Sequence, residues 1–127
     1  METKNKILTF WLLTIGGFLA HTATDALPAF WGESIAAMQP PASTGMIAFM
    51  MLMTYFIPAV GILLVIYGNG RPARITNAVL ACVMALFTVL HMAELLECFN
   101  PAQLLIMPLM AVIAVLMSVE SFKLLKK

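Results

Sequence analysis

Two histidines, each followed within one helical turn by a carboxylate, are the residues of this chain that could do chemistry. His21 precedes Asp25 by four positions, and His91 precedes Glu94 by three. Residues three or four apart lie on one face of a helix, so each pair would present an imidazole beside a carboxylate. Such pairs hold metals in helical bundles, exchange protons, and act as general acids and bases.

The donor types indicate which ions could bind if the two pairs converge. Imidazole and carboxylate ligands suit zinc, iron or manganese, so His21, Asp25, His91 and Glu94 form a candidate metal site. Two histidines at one level could also hold a haem, although carboxylates are poor neighbours for a neutral macrocycle. Eleven methionines raise copper as a further candidate, but methionine more often fills gaps in a core.

The elements that must position these residues are apolar helices. The chain has 127 residues, of which 62% are hydrophobic and 10% are charged, whereas soluble domains carry about 25% charged residues. A chain of this size could not bury so much apolar surface by folding alone. The composition therefore predicts that the chain is embedded in a lipid bilayer. A net charge of +1 gives no reason to expect a nucleic-acid partner.

Hydropathy predicts four transmembrane helices, each long enough to cross a hydrocarbon core of about 30 Å. They cover residues 7–27, 44–67, 75–97 and 102–122, within a single transmembrane domain of residues 1–127. The predicted fold is therefore an all-α, polytopic four-helix bundle. Pro58 and Pro108 lie inside the second and fourth spans, where they are expected to kink the helices.

The basic residues predict the orientation of these spans. Both ends of the chain and the loop between spans two and three carry them: Lys4, Lys6, Arg71, Arg74, Lys123, Lys126 and Lys127. The positive-inside rule makes that side cytoplasmic, so both termini are predicted to be cytoplasmic in a multi-pass cell-membrane protein. Trp11 and Tyr67 are then expected near the inner interface and Trp31 near the outer one. Residues 31–38 could form an interfacial helix in the external loop.

The same topology places both His/carboxylate pairs at one depth, in the outer third of the membrane. At 1.5 Å per residue, His21 and His91 lie about 21 and 24 Å from the starts of their spans. Ionisable residues inside a span cost about 2.5–3.5 kcal/mol each on insertion scales, which favours a functional site. Trp31 and Glu33 are expected to cover its mouth. Tyr55 is expected to line a cavity below it, or to bond a carbonyl freed by the nearby proline.

Residues 90–95 read Leu-His-Met-Ala-Glu-Leu. This segment resembles the motif of the bacterial membrane proteins named for the pattern His-x-x-Glu-Glu, with Leu95 in place of the second Glu. The overall plan is similar to small four-helix bacterial membrane proteins of the DoxX-like kind. Both resemblances imply a bacterial cytoplasmic membrane, and neither implies a particular activity.

Three classes of function remain open. The leading hypothesis is a membrane protein whose outer-leaflet site binds a small ligand or cation and could exchange protons between about pH 5 and 8. The second is a membrane-embedded enzyme acting on a lipid-soluble substrate, which needs a cavity open to lipid beside His91. The third is an accessory or structural subunit, whose polar residues contact a partner or join helices. Four short spans enclose little volume, so a homodimer is a candidate assembly.

Overall fold

The computed structural model describes residues 1–33, 43–97 and 99–126, and within these ranges the chain is all-helical, with no strand. The first half contains α1 (Thr3–Ala26), a 3₁₀ helix (Leu27–Trp31), α2 (Thr44–Met51), a π-helical turn (Leu52–Phe56) and α3 (Ile57–Tyr67). The second half contains α4 (Arg71–His91), the short α5 (Glu94–Glu97) and α6 (Gln103–Leu125). Residues 34–38 of the expected interfacial helix (31–38) lie outside the described residues.

Four continuous stretches of helix are long and apolar enough to cross a membrane: Thr3–Trp31, Thr44–Tyr67, Arg71–Glu97 and Gln103–Leu125. The predicted number of helices with the length and composition of a membrane span is therefore confirmed. The first helix begins at Thr3 and not at residue 7, and α4 begins at Arg71 and not at residue 75. Gly70, at a φ of 91°, ends the preceding loop, and Pro72 lies in the first turn of α4. Proline fits that first turn because its missing N–H would have no helical partner there.

The spans form a closed ring, in which α6 packs against α1 and α4, and α3 packs against the same two helices. Helices α1 and α4 therefore face each other across the ring. Arg74, near the start of α4, donates from Nη1 to the Leu124 carbonyl near the end of α6, at 3.5 Å. The third and fourth spans are thus antiparallel neighbours, as predicted.

Trp11 lies inside the ring of helices. Its side chain is fully buried, and its Nε1–H donates to Asn77 Oδ1 at 2.9 Å. Asn77 Nδ2 in turn donates to Ser121 Oγ at 3.0 Å. This chain of hydrogen bonds joins α1, α4 and α6. The indole is therefore directed into the bundle, where it has a buried polar partner on another helix, and its depth relative to the inner interface stays a prediction.

Pro58 is accommodated by a change of helix type. A proline has no N–H to bond the carbonyl four residues earlier. In the preceding π-helical turn, the Ile57 N–H bonds the Leu52 carbonyl five residues back. The second span thereby continues into α3 without a break. Gly61, one turn later, lies against the indole ring of Trp11, in the space that a Cβ would occupy.

We predict that Gly61→Ala destabilises the fold by about 1–3 kcal/mol relative to Gly16→Ala, because overpacking a filled core forces its neighbours to move. The added Cβ would overlap the buried ring of Trp11, whereas nothing lies within 4 Å of a Cβ at Gly16. Both variants make the same change in helix propensity, so their difference reports packing. Denaturation in detergent, followed by circular dichroism, measures it. Equal stability of the two variants would contradict the prediction.

Candidate functional site

The two His/carboxylate pairs meet at one end of the bundle, where α1 and α4 end and α6 begins. His21 is buried and His91 is half-buried, each close to the C-terminal end of its helix. The side chains of Asp25 and Glu94 are 46% and 45% exposed. We call these four residues together with Gln103 the polar cluster. Its imidazoles are sheltered, while its carboxylates remain accessible from outside.

The two imidazoles touch across the ring of helices. His21 Nε2 lies 3.1 Å from His91 Nε2. The ring planes are nearly perpendicular, at 84°, with centroids 5.0 Å apart. Only the depth and the helical face of each pair could be predicted from the sequence, so this contact between diagonal helices is what brings the two predicted pairs into one site.

Each histidine also lies close to the carboxylate of its own pair. His21 Nε2 lies 3.6 Å from Asp25 Oδ2, and His91 Nδ1 lies 3.3 Å from Glu94 Oε2. Helix α4 ends at His91, and Glu94 opens the short α5. The one-turn spacing survives because backbone hydrogen bonds bridge the intervening turn, from the Ala93 N–H to the Leu90 carbonyl and from the Leu95 N–H to the Met92 carbonyl.

Gln103 is the member of the cluster that the sequence analysis missed. This first residue of α6 is buried, with 3% of its surface exposed. Its Nε2 donates to Asp25 Oδ1 at 2.6 Å and to the His21 carbonyl at 3.2 Å. Its Oε1 lies 2.7 Å from His21 Nδ1. The available signal was a side-chain amide at the start of an otherwise apolar span, at the same level as the histidines.

These contacts assign the proton on His21. Gln103 Nε2 faces two acceptors, so its amide orientation is fixed and Oε1 must accept from His21 Nδ1–H. A neutral imidazole carries one N–H, so His21 Nε2 has its lone pair directed at His91. The Gln103 side chain therefore determines which nitrogen of His21 faces the other imidazole.

His91 has two neighbours that both require a donor. Its Nδ1 faces the Glu94 carboxylate, and its Nε2 faces the lone pair of His21. A neutral imidazole has a single proton and can serve one of these contacts. A cation between the two Nε2 atoms, either a proton or a metal ion, satisfies the contact with His21. The proton on His91 Nδ1 then remains for the contact with Glu94. The arrangement is therefore suited to a cation.

Aromatic packing fixes the plane of the His91 ring. Phe87, one turn earlier on α4, stacks on it with an interplanar angle of 7° and a centroid distance of 5.7 Å. Phe49 and Phe18 contact Phe87 at centroid distances of 6.1 and 6.0 Å. Phe87 thus links the apolar packing of the first two spans to the orientation of His91.

Among the described residues, the other three residues expected at the site form no hydrogen bond, ion pair or ring contact with the polar cluster. Trp31 is 74% exposed, and Glu33 is also exposed. Tyr55 lies in the π-helical turn and is 59% exposed on the outside of the bundle. Its hydroxyl forms no hydrogen bond with the described residues. The structure therefore does not bring Tyr55 to a cavity below the cluster or to a carbonyl freed by Pro58.

The remaining cofactor candidates are constrained by the same geometry. With the two Nε2 atoms 3.1 Å apart, no macrocycle fits between the histidines, which argues against a haem held by both. Met53, Met84, Met110 and Met117 belong to the apolar core, in the gap-filling role expected for most methionines. The imidazole and carboxylate groups therefore remain as the ligands to be considered.

An apolar groove of about 320 Å³ lies on the outer side of the bundle, close in sequence to the cluster. It is lined by Met92 and by α6 residues from Pro108 to Leu116. A second groove, of about 350 Å³, lies between the outer faces of α4 and α6. The polar cluster lines neither of these two grooves, so they do not supply the lipid-open cavity beside His91 that an enzyme would need.

Comparisons with protein-family models, with characterised proteins and with solved structures find no match to this chain. The resemblance to the His-x-x-Glu-Glu and DoxX-like membrane proteins therefore stays a prediction. Function has to be argued from the polar cluster itself.

We predict that neutral His21 carries its proton on Nδ1 in the purified protein. A net hydrogen bond of about 0.5–1.5 kcal/mol to Gln103 corresponds to roughly a 2- to 13-fold preference over the other tautomer. Two-bond ¹H–¹⁵N correlation spectra of the imidazoles at about pH 8.5, above the ordinary histidine range, measure this ratio. The His91→Gln variant assigns the signals. Gln103→Leu should abolish the preference, and a His21 proton found on Nε2 would contradict the prediction.

Proposed function

We propose that this chain is an integral membrane protein, with both termini in the cytoplasm, that binds a small cation at the polar cluster in the outer leaflet. Membrane insertion is supported by the outer surface of the bundle. Many large apolar side chains point outward, including Leu90 at 63% exposed and Leu105 at 79% exposed. Water would make such a continuous apolar surface prone to association, whereas lipid solvates it.

The proposed orientation rests on the separation of basic residues from the polar cluster. Lys6, Arg74 and Lys123 lie at the end of the bundle where α1 and α4 begin and α6 ends. Glu120 joins two of them, with Lys123 Nζ at 2.6 Å and Lys6 Nζ at 3.9 Å. The cluster lies at the opposite end. A cytoplasmic basic end therefore leaves the cluster facing outward.

We predict that a membrane-impermeant thiol reagent labels Glu33→Cys in intact cells and labels Asn69→Cys only after permeabilisation. Both positions are exposed, and neither substitution changes a basic residue that sets orientation. The background carries Cys82→Ala and Cys98→Ala, so that each variant has one thiol. Labelling of Asn69→Cys but not Glu33→Cys in intact cells would reverse the proposed topology.

The contact between the two Nε2 atoms is the observation that carries the cation proposal. Two imidazole nitrogens and two carboxylates converge, and all of them can act as electron-pair donors. A bound cation offsets the mutual repulsion of the lone pairs and the carboxylate charges. The half-exposed carboxylates offer a route from outside. In the proposed membrane setting, this gain also offsets part of the cost of placing ionisable groups in a span.

We predict that at least one small cation raises the unfolding temperature of the wild-type protein in detergent. A ligand at 100 times its Kd stabilises the folded state by about 2.7 kcal/mol. The panel contains Na⁺, Mg²⁺, Ca²⁺, Mn²⁺, Co²⁺, Ni²⁺ and Zn²⁺, with elemental analysis of gently purified protein alongside. The His21→Ala/His91→Ala variant should lose the shift.

Glu97→Gln is the matched control, because this exposed carboxylate lies at the same end of the bundle outside the cluster. It should keep the wild-type response. A panel without any stabilising cation, together with metal-free purified protein, would overturn the proposed function. If the double histidine variant keeps the cation-induced rise in unfolding temperature, the cation binds outside the polar cluster.

A further inference from the structure

We infer that the cation is a divalent transition metal of the zinc class, bound by the Nε2 atoms of His21 and His91 with a carboxylate, and that Gln103 is the residue that positions His21 for it. This inference rests on the proposed function and names its ligand class.

The spacing of the donor atoms fits a tetrahedral metal. Metal–nitrogen distances of about 2.0–2.1 Å in a tetrahedron place ligand atoms about 3.3 Å apart. The two Nε2 atoms are 3.1 Å apart, and Asp25 Oδ2 lies 3.6 Å from His21 Nε2. Ligand atoms of His21, His91 and Glu94 also all lie within 4.8 Å of one another. Two nitrogens and the Glu94 carboxylate can thus reach one ion after side-chain adjustments.

The outward-facing nitrogen of His21 has the partner that a metal-binding histidine requires. A ligating imidazole donates its other N–H to a carboxylate or carbonyl oxygen, which fixes the tautomer and the ring orientation. Gln103 Oε1 occupies this position at His21 Nδ1. The free electron pair of His21 Nε2 consequently points toward His91 Nε2.

The donor types distinguish this class from the alkaline-earth ions. Calcium and magnesium prefer oxygen ligands, and calcium takes six to eight of them. The cluster offers two imidazole nitrogens as its closest pair of donors, with two carboxylates around them. Imidazole suits zinc and its first-row neighbours. The half-exposed side of the cluster leaves a fourth position for water or a further ligand.

Gln103 is buried and already engaged in three hydrogen bonds, so its role can be separated from ligation. Gln103→Leu removes the acceptor for His21 Nδ1–H and the donor to Asp25 Oδ1, while both histidines and both carboxylates stay in the chain. Loss of such an outer partner typically weakens metal binding about 10- to 100-fold. Asn77→Leu is the matched control, because it removes an equally buried side-chain amide that also joins helices, in the layer that it forms with Trp11 and Ser121.

The test is titration of the purified protein in detergent with Co²⁺, followed by displacement with Zn²⁺. We expect the visible absorption of tetrahedral Co²⁺ in the wild type and its loss in the His21→Ala/His91→Ala variant. Gln103→Leu should weaken Zn²⁺ binding about 10- to 100-fold. Asn77→Leu should bind as the wild type does, even though both substitutions lower thermal stability. Gln103→Glu keeps an oxygen acceptor for His21 Nδ1–H and should bind more tightly than Gln103→Leu.

Each result that differs from these expectations overturns a different part of the inference. Stabilisation by Ca²⁺, Mg²⁺ or Na⁺ without binding of Co²⁺ or Zn²⁺ would overturn the metal class and leave the proposed cation site standing. Wild-type affinity in Gln103→Leu would overturn the positioning role. X-ray absorption of the zinc-loaded wild type needs no variant, and fewer than two imidazoles per zinc would overturn the ligand assignment. Absence of binding by every cation would overturn the proposed function as well.

Discussion

Polar side chains buried between apolar helices can be satisfied only by groups from the protein, because neither lipid nor a dry core supplies hydrogen bonds. In the described residues, every buried side-chain nitrogen and oxygen has a partner. These partners are concentrated in two layers, one around Asn77 and one around Gln103. Apolar contacts tolerate sliding and rotation, whereas a buried amide bonds only at one register. The two layers therefore determine how α1, α4 and α6 align.

The same constraint explains why the second span contributes little to the cluster beyond packing. Its residues close the ring through apolar contacts, and Gly61 lets it approach the indole of Trp11. Phe49 reaches the cluster only indirectly, through Phe87 and its stack on His91. The histidines are consequently held by hydrogen bonds on one side and by an aromatic platform on the other. Such support from both sides is what a preorganised binding site requires.

The parts of this architecture that depend on local sequence could be predicted, and those that depend on helix contacts could not. Four spans follow from hydropathy, and the shared depth of His21 and His91 follows from the fixed helical rise. Gln103 could not be assigned, because its role depends on α6 lying beside the end of α1. Tyr55 was misplaced because the π-helical turn adds a residue to the turn and rotates the face on which it lies. The contact of Trp11 with Asn77 could not be predicted, because depth says nothing about which side of a helix meets a partner.

The orientation of the imidazoles also bears on the choice between a binding site and an enzyme. A general base must present its lone pair to the group that loses a proton. In this structure, the lone pair of His21 is turned toward His91 by Gln103, and the nearby apolar groove is lined by Met92 and α6 without either histidine. A substrate in that groove would meet methyl and methylene groups, whereas an ion arriving past Asp25 and Glu94 would meet both nitrogens. The geometry therefore favours capture of a cation over proton transfer to a lipid-soluble substrate.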